Sequence, residues 1–148
     1  MLFRSENAEG ICGNLTPELY LMGHSAGASA IGAIASEYEQ ITKLLLLSPS
    51  LDVGKEQIRQ GLAGYTGELH IVVGMDDRVV LPVQSRFFDR AAQRATVRRF
   101  VALWHCDHDF SGPRNNDLLR KAPHWAFFGS DDFPEDLDPH DPLDPGHE

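Results

Sequence analysis

Four short apolar runs punctuate an otherwise polar chain, each stopped by turn residues. Residues 18–22 (ELYLM) and 43–47 (KLLLL) are apolar without alternation, the pattern of a strand covered on both faces. Each stops after about five residues, at GHS or SPS, short of the ten or so that a helix usually needs. Residues 69–73 (LHIVV) are rich in β-branched side chains and halt at Gly74, and residues 96–103 (TVRRFVAL) run up to Trp104. Between the first pair of runs lies the alanine-rich stretch 26–40, in which Ile31, Ile34 and Ala35 are spaced to share one helical face. Between the third and fourth, residues 81–95 open with Pro82, acceptable in a first turn, and place Val83, Phe87 and Ala91 at i, i+4 and i+8. Residues 53–65 are charged and broken by glycine, which predicts a short surface helix. Residues 115–129 predict a last helix interrupted near Pro123. Strand, helix, strand recurs, so the expected fold class is α/β, with a mostly parallel sheet of four strands, flanking helices and right-handed crossovers.

Composition narrows the function classes. At 148 residues and 42% hydrophobic, the chain supports one globular domain with a packed core. Its net charge of −9 offers no large positive surface to neutralise phosphates, so neither nucleic acid nor an anionic membrane is an expected partner. The opening MLFRSENAEG turns polar after three residues, unlike a signal peptide, and no apolar run is long enough to span a bilayer. A cytoplasmic protein is expected. Cys12 and Cys106 lie far apart in sequence and are expected to be free thiols. Residues 1–16 are expected to form a short N-terminal segment and residues 17–129 the domain. From Ser130 onward, repeated Asp-Pro pairs and few apolar residues predict a solvated, disordered acidic tail over residues 130–148.

The candidate chemistry begins at Gly23-His24-Ser25-Ala26-Gly27, a GxSxG pattern. Alone the pattern is weak, but here it follows a predicted buried strand and opens a predicted helix, as a nucleophile elbow requires. The glycines would leave room where a Cβ would clash, and the helix N-terminus would face developing negative charge. The plainer reading, a helix N-cap serine, accounts for Ser25 but not for glycines on both sides. A nucleophilic serine needs a base, and the base needs an orienting acid. Asp76 and Asp77 lie in the loop leaving the third strand, and His105 and His108 in the loop leaving the fourth. Carboxyl ends of parallel strands face one crevice, so all three loops should meet. A metal cluster from His105, Cys106, Asp107, His108 and Asp109 is chemically conceivable, but five near-consecutive ligands cannot all point inward. No metal or cofactor is expected.

Taken together, GHSAG, KLLLLSP, GMDDRVV with the following LPVQS, and DHDF resemble the α/β-hydrolase superfamily, specifically the carboxyl half of its catalytic domain, over residues 19–129. The resemblance implies a choice within each pair. The family acid stands three residues after a strand-ending glycine and shortly before a valine pair, which matches Asp77. The family histidine is followed two residues later by an aromatic, which matches His108 with Phe110. The resemblance thus implies Ser25 as nucleophile, His108 as general base and acid, Asp77 as its orienting carboxylate, and the backbone N–H of Ala26 as an oxyanion donor.

The chain departs from the family ahead of the serine, where members place several strands and an HG-type oxyanion loop. The first strand would therefore be an apolar edge, to be covered by a second copy of the chain or by a preceding segment. The expected activity is hydrolysis of an ester, thioester or related acyl bond in a small-molecule substrate. The competing expectation is a catalytically weak or silent fold used for binding or assembly. The acidic tail could also dock a basic partner.

Overall fold

The structure, a computed structural model, describes residues 17–134. Four parallel strands, β1 (Leu19–His24), β2 (Ile41–Leu47), β3 (Glu68–Gly74) and β4 (Val97–Leu103), lie side by side in the order β1-β2-β3-β4. Helices α1 (Ala26–Ile34), α2 (Lys55–Ala63) and α3 (Pro82–Ala91) make the three crossovers, and α4 (Pro113–Phe128) follows β4. Steps taken in one direction across a sheet by crossovers of one hand put every crossover helix on the same face. Accordingly, Leu44, Leu46, Ile71, Val73 and Phe100 pack beneath Ala28, Ile58, Leu62 and Phe88 from the three crossover helices. On the opposite face Leu45, Leu47, Val72, Val101 and Leu103 pack against Ala122, Trp125, Ala126 and Phe127 of α4. Consecutive leucines of β2 thus point into two different cores, which is why its sequence does not alternate.

The helices depart from their expected extents and faces. α1 stops at Ile34 and the chain then turns, with Ala35 and Glu37 donating to the carbonyls of Gly32 and Ile34. Its fully buried residues are the small Ala28, Ser29 and Gly32, while Ile31 and Ile34 are only partly buried. α2 is more than a surface helix, since Ile58 and Leu62 are wholly buried and a side chain on Gly61 would collide with the carbonyl oxygens of Gly32 and Ala33. That contact lets α1 and α2 cross closely. In α3 the buried residues are Ser85 and Phe88, whereas Val83 is 55% exposed. The buried hydroxyl of Ser85 is satisfied by the carbonyl of Pro49 at 2.9 Å, and Phe87 sits at the rim under the cations of Lys55 and Arg59. α4 begins at Pro113 and continues unbroken through Pro123. Burial of Ala122, Trp125, Ala126 and Phe127 around that proline outweighs the lost backbone hydrogen bond, which costs about 3 kcal/mol in an exposed helix.

Within residues 130–134, Asp131 and Asp132 are exposed, while Phe133 packs against the core beneath α4. Phe133 stacks on Trp125 with ring centroids 4.7 Å apart, and Asp132 pairs with Lys121 at 3.2 Å. The expectations for residues 1–16, Cys12 included, and for residues 135–148 lie outside the described residues. Among the described residues, Cys106 is a free and buried thiol, and no helix is long and apolar enough to cross a membrane. β1 and β4 are the two edge strands among the described residues, and the apolar one is β1. Leu19 and Met22 remain 44% and 43% exposed.

Candidate active site

β1, β3 and β4 end at one rim, since His24 is in register with Leu47 of β2 and Gly74 with Leu103. Ser25, the next residue after β1, has φ 55° and ψ −117°, a conformation that non-glycine residues rarely adopt. The strain is held from both sides. Ser25 N–H donates to Leu47 O at 2.9 Å, and its own carbonyl accepts from Ser29 N–H at 3.0 Å and Ser50 N–H at 3.3 Å. Its side chain makes no capping hydrogen bond to α1, so the helix is not held by a serine N-cap. The leading amides of α1, Ala26 first, have no acceptor within the helix. A Cβ on Gly23 would lie 2.7 Å from Ile31 Cδ1 and 2.9 Å from Ala28 N, so the first glycine is required by close packing of strand and helix. Gly27 differs from expectation: a Cβ there would meet nothing within 4 Å among the described residues.

The two aspartates separate cleanly. Asp76 is exposed, and among the described residues only its backbone is engaged, its N–H donating to Cys106 O at 2.9 Å. The Asp77 side chain is wholly buried. Its Oδ1 accepts from the N–H groups of Val79 at 2.9 Å and Val80 at 2.8 Å, and its Oδ2 lies 2.7 Å from Nδ1 of His108. A carboxylate can only accept here, so Nδ1 carries the proton and, in the neutral ring, Nε2 keeps its lone pair. Gly74 makes this meeting sterically feasible, because a side chain there would collide with the carbonyl of Cys106.

The histidine loop is shaped by groups that sequence reasoning did not single out. His105 and Phe110 both have positive φ, 57° and 56°. Asn115, buried at the start of α4, donates from Nδ2 to the carbonyls of His105 and Ser111, each at 2.9 Å, and so clamps both ends of the loop. An asparagine in the first turn of a helix beginning Gly-Pro was the available signal. The His105 side chain is exposed and forms no hydrogen bond among the described residues. Burial pushes the Cys106 thiol up to about 11, away from a reactive thiolate. The Asp107 carboxylate is held below its usual range by hydrogen bonds from Ser111. Among the described residues, no three metal-binding side chains converge.

Ser25 and His108 share the rim without a hydrogen bond between their side chains in this structure. The residue before the serine bridges them instead: His24 Nε2 lies 2.8 Å from the carbonyl of His108, with the two rings 4.6 Å apart.

No protein-family model matches the sequence, and no curated protein does. Solved structures do match. The esterase domain of a Rhodothermus marinus protein superposes with a TM-score of 0.59 at 15% identity, covering 78% of this chain and 60% of that one. An alpha-beta serine hydrolase homologue from Coxiella burnetii gives 0.56 at 23%, covering 78% and 51%. A monoacylglycerol lipase from Paleococcus ferrophilus gives 0.63 at 13%, covering 81% and 72%. The fold is therefore that of the α/β hydrolases in part: among the described residues, a four-stranded parallel sheet with four helices, and the chain spans little more than half of the first two of these structures. At these identities the likeness establishes the fold alone.

Proposed function

We propose that the chain carries a serine hydrolase site in which Ser25 is the nucleophile, His108 the general base and acid, and Asp77 the carboxylate that fixes the imidazole. The observation that carries this reading is the buried Asp77 accepting from His108 Nδ1 at 2.7 Å, at the rim where the strained Ser25 joins β1 to α1. On approach of an ester, thioester or related acyl substrate, His108 Nε2 takes the Ser25 hydroxyl proton as Oγ attacks the carbonyl carbon. The tetrahedral oxyanion receives the N–H of Ala26, and His108 then protonates the leaving alcohol or thiol. Water, deprotonated by the same imidazole, attacks the acyl-enzyme and releases the acid, returning the proton to Ser25. The imidazolium formed in each half-reaction is stabilised by Asp77. A second oxyanion donor would come from outside residues 17–134, and a missing donor of this kind costs roughly 2.7–4 kcal/mol of transition-state stabilisation. Water is the second substrate, consumed in deacylation.

The test is turnover of p-nitrophenyl acetate by wild type and Ser25→Ala. Wild type should hydrolyse it and the variant should not. Equal rates from the two proteins would end the assignment. A second reading, a fold kept for binding or assembly, is favoured by the half-exposed β1 edge and by the absent Ser25–His108 hydrogen bond. It predicts no turnover by either protein together with concentration-dependent association.

A further inference from the structure

The GxSxG pattern leaves its second position open, and here that position is occupied by a residue with its own work. Side chains alternate along β1, so His24 projects to the same face as Tyr20, which packs against the core beneath α4. On that face it meets the histidine loop. Its ring lies 4.6 Å from the ring of His108 and 6.3 Å, edge-on, from that of the buried Phe110. Because a backbone carbonyl can only accept, His24 Nε2 is the donor to His108 O, over 2.8 Å.

The imidazole of His108 is thus fixed from two directions by different atoms. Asp77 holds the ring through Nδ1, and His24 holds the main chain through the carbonyl. Asp77 comes from the end of β3 and His24 from the end of β1, the strand that delivers Ser25. Only the second of these contacts ties the histidine loop to the serine turn. Phe110, two residues beyond His108, has φ 56° and is itself wedged into the core, so the loop between them has a defined shape for His24 to grip. We infer that His24 is a positioning residue, whose hydrogen bond to the His108 carbonyl sets the separation between the imidazole and the Ser25 hydroxyl. The inference rests on the hydrolase reading for its catalytic consequence, while the latch itself is a property of the loop.

The experiment compares wild type, His24→Ala and His24→Gln, the last because a glutamine amide can place a donor near the position of imidazole Nε2. A single neutral hydrogen bond shifts an equilibrium by about 2- to 10-fold. His24→Ala should lower kcat for p-nitrophenyl acetate by about that factor with KM unchanged, and His24→Gln should restore most of it. In parallel, amide hydrogen exchange should quicken over residues 105–110 in His24→Ala, return towards wild type in His24→Gln, and stay constant in β3, which reports that both variants are folded. Unchanged exchange across the three proteins, or a loss of kcat that glutamine does not restore, overturns the inference. If wild type shows no turnover, the hydrolase reading fails, and the exchange comparison then decides the latch by itself.

Discussion

Asp77 divides its two oxygens between two tasks. Oδ1 closes its own loop through Val79 and Val80, and Oδ2 faces His108. An asparagine could satisfy one task but not both, because its amide nitrogen would present a donor to a donor. With the amide opposite Nδ1, the ring is driven to the tautomer whose Nε2 carries a proton and cannot act as a base. Asp77→Asn is therefore expected to keep the fold by circular dichroism and to lower kcat/KM by about 10⁴-fold, as in well-studied triads. A loss below tenfold would contradict the role. The choice between Asp76 and Asp77 was legible only through the family pattern, since two adjacent aspartates look alike to any rule of spacing. What separates them physically is burial, set by the backbone of Asp76 binding Cys106. His24 was not legible at all, because its partner is a carbonyl 84 residues away that reaches it only after β4 is in place.

At the level of elements, β2 and β3 were readable because both their faces are covered and their runs stay largely apolar, whereas β4 carries Arg98 and Arg99 ahead of the apolar residues Phe100 to Leu103. Helix faces were less so. In α3, Ser85 goes inside because Pro49 supplies an acceptor, a partner no periodicity can foresee. One element contact carries a pH prediction. His70 of β3 is wholly buried, donating from Nε2 to Glu68 at 3.1 Å and accepting at Nδ1 from Arg99 Nε of β4. Arg99 in turn lies over Trp125 of α4 and donates to its carbonyl. Burial, opposed by Glu68 and assisted by Arg99 and Lys43, pulls the imidazole down to about 4. Between that value and the ~6.5 of an unfolded histidine, the unfolded chain binds more protons than the folded one. This contribution to stability is complete above about pH 6.5, falls as pH drops, and levels off below 4. Thermal melts from pH 7.5 to 4 should show wild type losing stability faster than His70→Gln, by at most ~1.4 kcal/mol per pH unit. Parallel curves would refute it.

For the molecule as a whole, the open question is the outer edge of β1. A half-exposed apolar strand with one neighbour among the described residues invites pairing with a further strand. The solved relatives carry more chain than this one, 60% and 51% of their lengths being covered. We propose that the edge is covered in the working assembly, by a second copy or by additional chain. Sedimentation velocity should then show the 148-residue protein self-associating with concentration, and Met22→Lys, which puts a charge on that strand, should shift it towards monomer. A compact monomer at every concentration would remove the motive for a partner. The architecture was legible because the alternation of runs and helices dictates a parallel sheet.

Whether Ser25 is a nucleophile activated by His108 is decided by treating the protein with a fluorophosphonate and locating the adduct by peptide mass spectrometry. A single phosphonylated residue, Ser25, is expected, with labelling abolished in His108→Ala and Ser25→Ala. An adduct elsewhere, or labelling of Ser25 that does not depend on His108, would contradict it.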